Sequence, residues 1–174
     1  KPFLFTFRTK WEGGQREISQ EEYGQLLRTA AQTGKPDLID AELFRLPELS
    51  KLLQEIKKDF KIAIIGSNHD FEKTPSKEEI ISRLDMMRQN GADIPKIAVM
   101  PEDAGDVLTL LEATREFHLA FPDTPAITMS MGKDGMISRM AGEVFGSALT
   151  FASGASASAP GQIPAKKLQE ILEI

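Results

Sequence analysis

Six short apolar runs recur along this chain, and each leads into a stretch with helical periodicity. The runs cover residues 3–8, 38–42, 62–69, 96–100, 126–130 and 148–151; the helical patterns cover 20–33, 47–60, 77–90, 104–121, 137–145 and 165–174. Two helix starts carry capping boxes, Ser19 with Glu22 and Ser76 with Glu79, and Gly34 and Gly91 stand where helix ends should be. Strand followed by helix, with no linker between units, predicts an α/β chain built on a parallel sheet.

Two of these strands carry chemistry. The third run ends Ile64-Ile65-Gly66-Ser67-Asn68-His69, and the fourth contains Lys96 between Pro95 and Ile97. Side chains alternate across a strand, so Ala63, Ile65, Ser67 and His69 share one face while Ile62, Ile64 and Gly66 share the other. On the fourth run Lys96, Ala98 and Met100 oppose Ile97 and Val99. The small or polar faces should meet and the aliphatic faces should meet helices. That is the pattern of an α/β barrel interior. A lysine within such a strand is expensive to keep charged, and desolvation moves it toward the neutral amine that attacks carbonyls. Beside a histidine it suggests Schiff-base chemistry with an acid/base partner.

Composition narrows the classes. With 174 residues and 41% hydrophobic content, one sizeable core and a single domain spanning 1–174 are expected. The net charge of −5 gives no broad basic field for nucleic acid or an anionic membrane surface. Without cysteine there is no disulfide framework and no thiolate metal site. No run approaches the roughly 18 apolar residues of a membrane span, and the opening residues lack the layout of a signal peptide. A cytoplasmic protein is the expectation.

In parallel sheets function gathers at the carboxyl ends of strands. Arg8 and the loop through Glu12, Gly13 and Gly14 follow the first strand; Asp40 and Glu42 close the second; His69 closes the third; Met129 to Met131 end the fifth. The sixth leads into the Ser/Ala/Gly-rich segment 153–162. With Arg139 on the fifth helical pattern, this rim offers cations for a carboxylate and donors for hydroxyls. It points to a small, polar, anionic ketone or aldehyde.

The stretches Phe5-Thr-Phe-Arg8 with Glu12-Gly-Gly14, Ser67-Asn-His-Asp-Phe71, Pro95-Lys-Ile-Ala-Val-Met100, Met129-Ser-Met131, Ile137-Ser-Arg-Met-Ala-Gly142 and Ala157-Ser-Ala-Pro-Gly-Gln162 resemble type I 3-dehydroquinate dehydratase. The resemblance runs in order over nearly the whole chain. It implies a TIM (βα)8-type barrel and a lyase of the shikimate pathway, on the route to the aromatic amino acids. Such an enzyme removes water from 3-dehydroquinate to give 3-dehydroshikimate, usually as a homodimer, without metal or cofactor. Carried over by residue, it makes Lys96 the amine that condenses with the substrate ketone, His69 the general acid and base, and Glu12 the carboxylate that orients His69. Arg8 becomes a ligand of the ring hydroxyls, and Arg139, Ser158 and Gln162 ligands of the substrate carboxylate. Asp40 resembles another polar lining residue, and the small-residue segment before Gln162 resembles a lid.

Against that family the chain opens on its third strand. The expectation is therefore the last six strand-helix units, without the first two and without the glutamate and arginine that bind substrate hydroxyls from the second strand. Taken one at a time the residues admit plainer readings. A strand lysine is more often paired or snorkelling than nucleophilic, a strand-end histidine more often structural, and Met129 and Met131 can be core packing. His118, inside a helical pattern, reads as a surface residue. Two other classes stay open: a different Schiff-base enzyme such as a class I aldolase, which would favour a phosphate loop, and a truncated barrel without turnover.

Overall fold

Ser19 begins the first helix in the way its sequence predicts. In the computed structural model, which describes residues 1–173, its hydroxyl accepts the Glu22 N–H at 3.2 Å while the Glu22 carboxylate accepts the Ser19 N–H at 3.0 Å. This reciprocal pair satisfies two amides that a helix start leaves open. Helix α1 then runs Gln20–Gln32, and Gly34 leaves it with φ of +65°, a conformation that suits glycine.

The strands are β1 (Leu4–Thr6), β2 (Leu38–Ala41), β3 (Ala63–Asp70), β4 (Ile94–Val99) and β5 (Ile127–Ser130). The remaining helices are α2 (Ser50–Phe60), α3 (Lys77–Gln89), α4 (Ala104–Ala120), α5 (Met136–Ala141) and α6 (Ala165–Leu172). The patterns at 47–60 and 137–145 each divide into an α-helix and a 3-10 turn, at Pro47–Leu49 and Gly142–Phe145. The sheet is parallel, in the order β1-β2-β3-β4-β5, so the expected α/β class and strand sequence are observed. Its ladder begins at β1 and stops at β5. Among the described residues no helix is long and apolar enough to cross a membrane.

The chain forms two compact units, one of Lys1–His69 with Arg83–Lys96, the other of Asp70–Ser82 with the described residues from Ile97 onward. In the first unit the register sets Thr6 opposite Asp40, Asp40 opposite Ile65 and Ala41 opposite Gly66. Helix α1 buries Tyr23, Leu27, Ala30 and Ala31, and α2 buries Leu53 and Ile56. Ile39 and Ile64 are also fully buried. These apolar contacts are what hold short parallel strands in place, because burial rather than strand propensity supplies most of the stability. Asp93 ties the start of β3 to this layer: its carboxylate accepts the Ile64 N–H at 2.8 Å and the Lys57 ammonium at 2.6 Å.

In the second unit the structure departs from the sequence reading. Residues 148–151 do not form a sixth strand; a single bridge joins Ala126 to Ser147, and the Ala148 N–H donates to the Ala126 carbonyl at 2.8 Å. Beyond that bond, serine hydroxyls do the work of a neighbouring backbone. Ser147 Oγ accepts the Thr128 N–H at 3.1 Å, and Ser138 Oγ accepts the Ser130 N–H at 2.9 Å. A buried amide needs a partner but is indifferent to whether a carbonyl or a hydroxyl provides it. On the other side of the unit, α4 buries Val107, Leu110, Leu111 and Phe117, and Thr114 shares a 2.7 Å hydrogen bond with Thr128. His118 is exposed, as its helical position suggested.

Gly66 is the position where backbone approach leaves least room. A Cβ there would lie 2.7 Å from Ala92 Cβ and 3.1 Å from Leu43 Cδ2. Gly66→Ala should therefore destabilise the chain by roughly 1–3 kcal/mol through overpacking, measured as a lowered urea midpoint with unchanged slope. An unchanged midpoint would show that the contact relaxes freely.

Candidate active site

Period-2 alternation on neighbouring strands gathers polar side chains on one face of the first unit. Asp40 from β2, Ser67 and His69 from β3 and Lys96 from β4 meet there, joined by Arg8 after β1 and Glu12 from the 3-10 turn Lys10–Glu12. Asp40, Glu12, Glu42 and Ser67 are wholly buried, and Lys96 is 5% exposed. Burying so many ionisable groups is costly unless each is paired and hydrogen-bonded.

The pairing is dense. Lys96 Nζ donates to Asp40 Oδ2 at 2.9 Å. Arg8 Nη2 donates to Asp40 Oδ1 at 2.8 Å, and Arg8 Nη1 reaches Ser67 Oγ at 2.9 Å, Glu42 Oε1 at 3.2 Å and Glu12 Oε2 at 3.4 Å. The Ser67 hydroxyl donates to Asp40 Oδ1 at 2.6 Å. His69 Nδ1 and Glu12 Oε2 share a proton across 2.8 Å, and Asn68 Nδ2 approaches Glu12 Oε1 at 3.4 Å.

These surroundings reset the acidities. Burial lowers the Lys96 ammonium from its usual value, against the pull of Asp40. Burial also takes the His69 imidazole well below 6.5, helped by the charges of Lys96 and Arg8 and opposed by Asp40. Burial alone would raise the Asp40 carboxyl, but Lys96 and then Arg8 outweigh it and hold Asp40 below the usual carboxylate range. The Glu12 carboxyl is pushed up to about 8, mainly by burial and further by the charge of Glu42, with Arg8 opposing. A lysine drawn toward its amine form, a neutral imidazole and a carboxyl at its back can attack a carbonyl and move a proton.

Arg139, Ser158 and Gln162 lie in the second unit. Arg139 is 2% exposed; its Nη1 donates to the Phe151 carbonyl and its Nη2 to the Pro160 carbonyl, both at 3.2 Å. Its Nε has no hydrogen-bond partner among the described residues, and burial lowers the guanidinium pKa from its ordinary value. The Ser158 N–H donates to Gln162 Oε1 at 2.8 Å, and the Gln162 amide donates to Ser158 Oγ at 3.1 Å. Gly161 makes the turn beside them with φ of +75°. Sequence reasoning thus anticipated the Arg8, Glu12, His69 and Lys96 group, with Asp40 among them. It gave no part to Thr9, Tyr23 or Asn68, and it named Glu42 only as a strand-end residue. The alternation of Asp40 and Glu42 on one face was the available signal. Among the described residues no three His, Asp or Glu side chains are disposed to hold a metal ion.

The raised Glu12 carboxyl has a measurable consequence. Between its ordinary value of 4.5 and about 8 the unfolded chain has lost a proton that the folded chain keeps. Glu12 therefore withdraws stability as pH rises through that window, and by a constant amount above it. Glu12→Gln carries no such proton. In urea unfolding series its stability relative to the parent should climb between about pH 5 and 8, by at most roughly 1.4 kcal/mol per pH unit. A gap independent of pH would remove this assignment.

Comparison with known proteins identifies the family. The family model for type I 3-dehydroquinase matches residues 1–174. The 3-dehydroquinate dehydratase of Syntrophotalea carbinolica is 53% identical over 174 residues, covering 100% of this chain and 69% of that protein. The Bacillus subtilis 3-dehydroquinate dehydratase is 54% identical over 174 residues, covering 100% of this chain and 68% of that protein. The crystal structure of the type I enzyme from Clostridium difficile, with covalently modified comenic acid, superposes with a TM-score of 0.93 at 52% identity, over 99% of this chain and 68% of that one. Identity at this level across the whole chain favours the dehydratase over the aldolase alternative, and the chain belongs to the type I 3-dehydroquinase family, the lyases that dehydrate 3-dehydroquinate.

Proposed function

We propose that Lys96 forms the Schiff base with the ketone of 3-dehydroquinate and that His69 moves the protons around it. The observation that carries this reading is Lys96 itself: a lysine 5% exposed, on a strand, held by the Asp40 carboxylate at 2.9 Å and lowered in pKa by burial. Its amine attacks the C3 carbonyl carbon, the carbonyl oxygen leaves as water, and a protonated imine remains. The iminium then accepts the electron pair left when the C2 proton departs. No metal or organic cofactor is needed for that step in this reading.

His69 serves as the base for the C2 proton. With its Nδ1 turned to Glu12 at 2.8 Å, Nε2 is the nitrogen left for substrate. When Glu12 is ionised the Nδ1 proton points to it and Nε2 carries a lone pair, which is the form that accepts a proton. The protonated imidazole then returns a proton to the C1 hydroxyl, which leaves as water while the enamine electrons re-form the iminium. Water hydrolyses that imine, freeing Lys96 and 3-dehydroshikimate. Asp40 stands where it can hold the Lys96 ammonium before attack, and Arg8 supplies donors toward ring hydroxyls. In the second unit Arg139, with its buried Nε unpartnered among the described residues, and Ser158 and Gln162 offer donors suited to the substrate carboxylate. The segment 153–162 acts as the lid. A cytoplasmic homodimer completes the proposal, on family membership alone.

Borohydride reduction in the presence of 3-dehydroquinate, followed by peptide mass mapping, should locate an adduct on Lys96 that Lys96→Ala abolishes. His69→Ala should still be trapped on Lys96 while turning over roughly 100 to 10,000 times more slowly. An adduct on another lysine, or none with an active relative labelled in parallel, would overturn the reading.

A further inference from the structure

The buried group contains a carboxylate that the proposed reaction does not use. Glu42 directly follows β2 and is wholly inaccessible to solvent. Its Oε2 accepts the Thr9 hydroxyl at 2.6 Å, while Oε1 accepts the Thr9 N–H at 2.8 Å and Arg8 Nη1 at 3.2 Å. Its own N–H donates to the Tyr23 hydroxyl at 3.1 Å, fixing the strand end against α1. Thr9 is gripped at both of its donors.

Thr9 is the residue from which the Glu12 turn springs. It stands at the N-cap of the 3-10 turn Lys10–Glu12, yet its side chain caps none of the turn's amides, because the hydroxyl is committed to Glu42. Its carbonyl instead accepts the Glu12 N–H at 3.1 Å and the Gly14 N–H at 2.8 Å. The chain then doubles back so tightly that a Cβ on Gly14 would lie 1.8 Å from the Arg8 carbonyl oxygen. Glu12 itself is held loosely by comparison: its contacts to Arg8 and Asn68 are both 3.4 Å, and only the 2.8 Å contact to His69 is short. The backbone carrying Glu12 is thus located by Glu42 through Thr9 rather than by the Glu12 carboxylate's own partners.

We propose that Glu42 is a positioning residue for the reaction: by holding Thr9 at its amide and hydroxyl, it sets the turn that presents Glu12 to His69. This rests on the acid/base part assigned above to His69 and Glu12. The charged and titratable groups around the turn are Arg8 beyond β1, Tyr23 from α1, Asp40 from β2, His69 from β3 and Lys96 from β4. The charge of Glu42 raises Glu12, so the two carboxylates are coupled electrostatically as well as through the backbone.

The test uses Thr9→Val, Thr9→Ser and Glu42→Gln, with kcat and KM for 3-dehydroquinate measured across pH. The His69 ring is followed in parallel by nitrogen-15 NMR, which is tractable because the chain has 2 histidines and His118 is exposed. Thr9→Val keeps the side-chain volume and loses one hydrogen bond. It should lower kcat roughly tenfold or more with KM within about twofold, and Thr9→Ser should restore it. Glu42→Gln removes the charge that raises Glu12, so the acid limb of the rate profile and the His69 Nδ1–H transition should both move to lower pH. A purely structural part would lower the melting temperature and leave both pH positions where they were. Parental kcat in Thr9→Val with an unmoved His69 titration in Glu42→Gln overturns the proposal. If Glu42→Gln does not fold, unchanged kcat and an unchanged His69 titration in Thr9→Val overturn it alone. A parent that neither turns over nor forms a Lys96 adduct sinks the reaction assignment instead, and the His69 titrations still decide the part of Glu42.

Discussion

The Arg8 guanidinium, set among Asp40, Glu42 and Glu12, is the interaction on which the rest of the first unit's polar face depends. Three buried carboxyl groups converge there, and without a cation between them their mutual repulsion would oppose folding. Burial alone would lower the guanidinium pKa, but Asp40, Glu12 and Glu42 outweigh it and raise it, so Arg8 stays charged at any ordinary pH. The planar fork suits this duty: one terminal nitrogen serves Asp40 and the other spans Ser67, Glu42 and Glu12. A lysine could offer the charge but not the simultaneous reach.

Lys96 is balanced differently. Two effects of opposite sign meet on its ammonium, burial favouring the amine and Asp40 favouring the cation. Asp40 is itself divided between Lys96 at one oxygen and Arg8 with Ser67 at the other. Because Arg8 already compensates Asp40, the carboxylate is not left alone when Lys96 loses its proton. The site can therefore change its protonation at one member without stranding another charge in the interior.

Much of this was legible in the sequence, for a simple geometric reason. Side-chain alternation on β3 and β4 is rigid, so Ser67, His69 and Lys96 could be assigned to faces before any coordinates, and the Ser19 box fixed the start of α1 to the residue. What escaped depended on contacts distant in sequence. Residues 148–151 have strand composition, but whether they pair turns on Ser138 and Ser147, whose hydroxyls take the β5 amides. Glu42 looked like one rim charge among several, since nothing local shows that its partner is the amide and hydroxyl of Thr9, 33 residues earlier. The bounds of β1 were also too wide by several residues, because the chain turns at Thr9 to build the loop that carries Glu12.

The serine hydroxyls along β5 bear on how this chain behaves among its own copies. An open strand edge is ordinarily a template on which another chain can add a strand. Here the Thr128 and Ser130 amides are already engaged by Ser147 and Ser138. An incoming backbone would have to strip both hydroxyls away before gaining a bond of its own. Each exchange returns only about 1 kcal/mol or less, so small side chains folded over the edge guard it against self-association at almost no cost in sequence.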